Sequence, residues 1–194
     1  MRLALTYNVK DDSNGSGEYP EDHYAEWDDL ETIEAVRDAL KEKHEEVELI
    51  EADLDAYDKL RDLKPELVFN MAEGLTGESR EAHIPAILEM LGIPYTGSSP
   101  LTLAMTLNKA RSKQVLSYFS VPTPKFVVME NEKDFTLFTG NFPAMVKPLF
   151  EGSSKGIRNN SLVNSGSEMS EKVAEIIKEY KQPAIVEEFL PGRE

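Results

Sequence analysis

The chain has 194 residues, 40% of them hydrophobic, with no cysteine, three histidines and a formal net charge of −15. That much apolar side chain can fill one large domain or two modest ones, while the missing cysteines exclude disulfides, thiolate nucleophiles and cysteine-ligated zinc or iron–sulfur centres. The negative charge, unrelieved by any basic stripe, disfavours nucleic acid and acidic membranes as partners, and no apolar run approaches the roughly 18 residues of a membrane span.

The opening "MRLALTYNV" lacks the long apolar core of a secretory signal, so a cytoplasmic protein is expected, with Arg2 to Asn8 as its first strand. A polar, glycine-bearing segment follows through about Trp27, long enough for a functional connection. From Asp28 or Asp29 to Lys43 the set Leu30, Ile33, Val36, Ala39 and Leu40 recurs at helical spacing, with acids early and lysines late. "EVELIEA" predicts a second strand, "LDAYDKLRDL" a short helix and "ELVFNMAE" a third strand. The β-α-β-α-β order calls for a parallel sheet with right-handed crossovers, which binds ligands beyond the carboxyl ends of its strands. The loop "EGLTGESREA" lies at one such end.

"HIPAILEMLGI" predicts a helix stopped by Gly92, and "PYTGS" a short final strand. Two helical stretches then precede the turn "VPTP", and the strands "KFVVM", "AMVKPL" and "AIVEEFL" come at longer intervals. A boundary near Ser98 therefore divides residues 1–97, a Rossmann-like parallel α/β domain, from residues 98–194, an α+β domain in which antiparallel strands are expected.

Lys147 interrupts the apolar run of "FPAMVKPLFEGSSKGI". Its ammonium must reach water, a carboxylate or a ligand, because an unpaired buried charge is costly. An ordinary edge lysine is the plainer reading of Lys147 alone, as a solvated helix face shared with Arg111 and Lys113 is of Lys109. The loop "EGSSKG" offers glycine amides and serine hydroxyls, the donors that wrap phosphate groups, though it lacks the usual Gly-Lys-Ser/Thr ending and also suits a hairpin turn. In "IVEEFLPGRE", Phe189 and Leu190 could flank a flat base, with Glu187 accepting from an amine and Glu194 from sugar hydroxyls; a charge-protected edge strand is the alternative.

The ordered set "GIPYTGS", "NKARSKQVL", "VPTP", "FPAMVKPLFEGSSKGI" and "VEEFLPGRE" resembles the D-alanine–D-alanine ligases of the ATP-grasp superfamily, across about residues 66–194. The resemblance implies an N-terminal pre-ATP-grasp domain and an incomplete ATP-grasp domain. It implies an ATP-dependent carboxylate–amine ligase of peptidoglycan biosynthesis, forming an amide through an acyl phosphate. On that pattern Lys109 and Lys147 hold ATP phosphates, Ser154 lies in the loop covering them and Ser153 stands near a substrate carboxylate. Glu187 meets the adenine amine, Phe189 and Leu190 contact the base, and Glu194 binds the ribose. Glu188 stands where many ligases have a lysine, leaving its backbone carbonyl as the contact. Glu26 is the counterpart of the glutamate that meets the first substrate's amine.

Other positions depart from that pattern. Glu73-Gly74 replaces a His-Gly pair, which keeps open a ligase for another amino acid or peptide. The family's magnesium ligands are expected beyond residue 194, so the sequence reads as a fragment, inactive by itself, with a non-catalytic nucleotide-binding protein as the alternative. The expected ligands are ATP, magnesium and an amino acid or peptide, with a homodimer as the candidate assembly.

Overall fold

The computed structural model describes residues 1–10, 20–131, 134, 137–192 of the chain. These form two compact units, one built from Met1–Ser16 and Tyr24–Met105, the other from Gly17–His23 and Thr106–Glu194.

In the first unit, strands β1 (Arg2–Tyr7), β2 (Glu46–Glu51) and β3 (Leu67–Asn70) form a parallel sheet in the order β2-β1-β3. Helix α1 (Leu30–Lys41) begins where the Asp29 carboxylate accepts from the Thr32 amide at 2.7 Å, satisfying one of the amides that a helix start leaves open. Helix α2 is Ala56–Leu63, and α3 (His83–Leu91) ends at Gly92, whose φ of 69° suits a residue without Cβ.

The sheet buries both faces. Leu3, Leu5 and Val47 pack with Ile33 of α1, whereas Ala4, Ile50 and Val68 pack with Ala56 and Leu60 of α2 and Ile84 and Leu88 of α3. Alternate residues of β1 thus enter different cores, as the two-residue period of a strand requires. "PYTGS" is shorter than expected: Tyr95 makes only an isolated bridge to Val68, with Val68 N donating to Pro94 O and Thr96 N to Val68 O, each at 2.9 Å. The Asn70 amide turns instead to the Thr96 hydroxyl at 3.0 Å, so a side chain takes over where the ladder stops.

The second unit holds β4 (Phe126–Met129), β5 (Ala144–Pro148), β6 (Leu162–Val163) and β7 (Ala184–Glu188), antiparallel in the order β4-β7-β5-β6. Helix α4 (Pro100–Leu107) belongs to the first unit up to Met105, and α5 (Lys109–Tyr118) belongs to the second, capped by Asn108, which accepts from Arg111 N at 3.0 Å. Helix α6 (Gly166–Tyr180) falls in a stretch that sequence reading leaves as a long connection. Ser165 caps it, and Met169, Val173 and Ile176 join Ala144, Val146, Ala184 and Val186 in the core. The fold is therefore α/β, a parallel sheet in one unit and an antiparallel α+β unit in the other, as expected.

Candidate functional site

Two groups of polar side chains collect at strand ends, one in each unit. In the second unit the alternation of β5 buries Ala144, Val146 and Pro148 and turns Lys147 to the opposite face. In the antiparallel register Lys147 lies across from Ile185 and Met145 from Glu187, so Lys147 and Glu187 are diagonal neighbours on one face. The Lys147 ammonium donates to Glu187 Oε1. Lys113, one turn along α5 from Lys109, brings its Nζ to 2.7 Å from Glu187 Oε2 and also donates to Thr123 Oγ1 at 2.9 Å. The contact to Oε2 is a charge contact rather than an aligned hydrogen bond, since that oxygen is buried without a hydrogen-bond partner among the described residues.

Glu187 is 8% exposed. Burial by itself pushes its carboxyl upward, but the ammoniums of Lys113 and Lys147 outweigh that and hold it below the ordinary carboxylate range. Two cations thus face one carboxylate, which leaves an excess of positive charge at the end of β5. Sequence reading assigned Lys113 to a solvated helix face; the structure turns it inward. The available signal was its four-residue spacing from Lys109, which places both on one side of a helix.

Lys109 opens α5. Its amide donates to Leu149 O at 3.2 Å and its ammonium to Glu151 O. The loop beyond β5 is tied at its base by Glu151, whose carboxylate accepts from Gln182 Nε2 at 2.6 Å and pairs with Lys155 Nζ at 2.9 Å. Ser153 and Ser154 form an exposed tip with φ of 44° and 61°, left-handed backbone that costs about 1–3 kcal/mol per non-glycine residue. Glu188 is held against Asn141, whose amide donates to its Oε1 at 3.3 Å, and Phe189 and Leu190 stand exposed just after β7. Glu194 lies outside the described residues.

In the first unit, the loops after β1 and β3 depart toward opposite faces of the sheet, the place where open α/β sheets receive ligands. Asn8 ties them together: its Oδ1 accepts from Glu73 N at 3.0 Å and Gly74 N at 2.8 Å, and its Nδ2 donates to Ala52 O at 3.3 Å. Gly74 has a φ of 79°, and a Cβ there would sit 2.3 Å from Arg80 O, so only glycine fits. Arg80 Nη2 donates to both Glu26 oxygens, at 2.9 and 2.6 Å, within a pair whose side chains are 8% and 3% exposed. Glu26 is thus committed to a buried ion pair, and Arg80 is a residue that sequence reasoning missed.

No group among the described residues hydrogen-bonds to the Glu73 carboxyl. Burial first, then the charges of Glu81, Glu26 and Asp28 against the opposing Arg80, push it up to about 7. In the unfolded chain it titrates near pH 4.3. Its neutral form therefore stabilises the fold fully below that pH, and the contribution is lost as pH rises through about 7. Glu73→Gln is expected to stabilise the chain at pH 8 by on the order of 2 kcal/mol, after discounting for partial solvent contact, and by less at pH 5. Urea titrations of both forms at the two pH values check this; an equal difference at both sinks it.

These arrangements can be set beside known proteins. No protein-family model matches the chain. A D-alanine–D-alanine ligase from Bacillus anthracis, solved in complex with ATP, superposes with a TM-score of 0.66 at 22% identity, covering 99% of this chain and 57% of that one. That likeness is one of fold, and it defines the class: the chain has the α/β architecture of a part of these ligase structures.

Sequence relatives narrow the class. The D-alanine–D-alanine ligase of Aquifex aeolicus is 35% identical over 166 residues, 85% of this chain and 55% of the relative. An uncharacterized protein of Sinorhizobium fredii, y4sG, is 38% identical over 176 residues, 87% of this chain and 51% of the relative. The chain is thus similar in sequence to D-alanine–D-alanine ligases over most of its own length. It spans about half the length of the curated relatives it matches.

Proposed function

We propose that this chain supplies the nucleotide-holding part of an ATP-dependent carboxylate–amine ligase of the D-alanine–D-alanine type. The observation that carries this reading is the sharing of one buried carboxylate, Glu187, by Lys113 and Lys147 beside a loop with exposed serine hydroxyls. Such a cluster holds an excess cation in place before any ligand arrives, which is what binding a polyanionic phosphate chain requires.

ATP, when bound, would supply the γ-phosphoryl group that converts a substrate carboxylate to an acyl phosphate with ADP as the leaving group, so that an amine can form the amide by displacing phosphate. This chain's residues prepare and protect that chemistry. Lys109 and Lys147 neutralise phosphate charge, Ser154 donates from the covering loop, and Ser153 orients the substrate carboxylate. Glu187 accepts from the adenine amine, Phe189 and Leu190 cover the base, the Glu188 carbonyl adds an acceptor and Glu194 binds the ribose. Closure of the loop keeps water from the activated carboxyl. Magnesium is different: among the described residues no group of three or more acidic or histidine side chains could hold a metal ion, so no step is assigned to it.

A second reading, a ligase for an amino acid or peptide other than D-alanine, is favoured by Glu73, whose carboxyl stands near neutrality where related ligases carry histidine. On either reading Glu26 serves the first substrate's amine through the field of its ion pair with Arg80. The deciding experiment incubates the full-length protein with ATP, magnesium and paired amino acids, and reads phosphate release and new amides by mass spectrometry. Amide formation from two D-alanines supports the first reading, and formation only from other pairs supports the second. ATP binding without any product would leave a nucleotide-binding regulatory protein.

A further inference from the structure

The loop that carries Ser153 and Ser154 is fastened at its far end by a residue from a distant part of the chain. Gly156 is buried, with a φ of 76°, and a Cβ on it would come within 2.3 Å of Pro148 Cγ and 3.2 Å of Tyr180 Cζ. The N–H of this buried residue needs an acceptor, since a buried amide without one costs as much as a lost hydrogen bond. That acceptor is the Asp22 carboxylate: Oδ2 takes the Gly156 N–H at 2.7 Å. The Tyr180 hydroxyl donates to the same group, 2.8 Å from Oδ1 and 2.9 Å from Oδ2.

Asp22 belongs to Gly17–His23, the short segment that joins the second unit although it precedes helix α1 in sequence. A turn fixes the segment locally, with His23 N donating to Pro20 O at 2.9 Å. Burial first, then the hydrogen bond and charge of Asp22, push the Tyr180 phenol upward, so it stays a donor throughout the physiological range.

We propose that Asp22 is a positioning residue for the Glu151–Ile157 loop: it pins the Gly156 end, as Glu151 pins the other, so that the Ser153 and Ser154 hydroxyls are presented from a braced tip. The inference deepens the nucleotide-binding reading and rests on it for its ligand. Charge assistance is what suits a carboxylate to the task, because one anionic group accepts from a backbone amide and a phenol together. An untied Gly156 would free the tip to sample many conformations, and each encounter with a phosphate chain would then bear the ordering cost. The contact lies wholly within the second unit.

The test compares the wild-type chain with Asp22→Ala, Asp22→Asn and Tyr180→Phe, measuring amide hydrogen exchange through residues 150–160 and ATP affinity by titration calorimetry. Asp22→Ala is expected to speed exchange at Gly156 by about tenfold or more, leave the amides of β5 unchanged, and weaken ATP binding by about tenfold. Asp22→Asn, which keeps an acceptor oxygen, recovers part of both effects, and Tyr180→Phe gives a smaller loss of each.

Unchanged Gly156 exchange in folded Asp22→Ala overturns the proposal. So does faster exchange without any loss of ATP affinity, given a wild-type chain that binds ATP. If the wild-type chain does not bind ATP, the nucleotide reading fails, and the exchange data alone decide whether Asp22 braces the loop. Should Asp22→Ala fail to fold, the asparagine and phenylalanine variants carry the same comparison.

Discussion

Lys147→Ala is expected to weaken ATP binding by roughly 10- to 100-fold, because a charge-assisted contact contributes about 1.5–3 kcal/mol. The second unit should survive the change. Glu187 keeps Lys113 at 2.7 Å, so the buried carboxylate is not left without a counter-charge, and the larger cost of an orphaned ion is avoided. A calorimetric titration of the variant with ATP measures the effect. Lys178→Ala, which removes an exposed lysine from α6, is the control for general loss of positive charge. Equal affinity in Lys147→Ala and wild type would remove Lys147 from the nucleotide site, whatever the fold.

The largest effect on stability is expected at Arg80. Its guanidinium bridges both oxygens of Glu26 in a pair almost closed to solvent. Arg80→Ala leaves Glu26 buried in the company of Glu73, which already feels the charges of Glu81, Glu26 and Asp28. A buried pair broken on one side costs about 3–5 kcal/mol, comparable to much of a domain's net stability. Urea denaturation at pH 7 should show that loss, and the double variant Arg80→Met with Glu26→Gln should recover a good part of it, because both charges then leave the interior together. A loss below about 1 kcal/mol would mean that solvent reaches the pair.

These predictions differ in how far the sequence anticipated them. The lysine within "AMVKPL" was visible because a cation in an apolar strand is a local contradiction. Helix α1 and strands β1 to β3 were visible because periods of 3.6 and two residues are written into consecutive positions. Strand β6, only Leu162–Val163, is too short to carry a period, and α6 went unread although Ser165 and Glu168 mark its start and Met169, Val173 and Ile176 repeat along one face. The signal for α6 is local. "PYTGS" failed for the opposite reason: its residues suit a strand, but the Asn70 amide bonds to the Thr96 hydroxyl and the pairing ends.

The amino-acid sequence by itself determined the alternation of elements, the parallel sheet of the first unit, the lysines and hydroxyl-bearing loop of the second, and the similarity to D-alanine–D-alanine ligases. Only the tertiary structure decided which charges meet. Lys113 becomes a partner of Glu187, Arg80 of Glu26, and Asp22 the acceptor for Gly156 across 134 positions of chain. The physical reason is that periodicity and capping act over a few residues, whereas an ion pair or buried hydrogen bond is chosen by whatever acceptor the folded chain brings within about 3 Å.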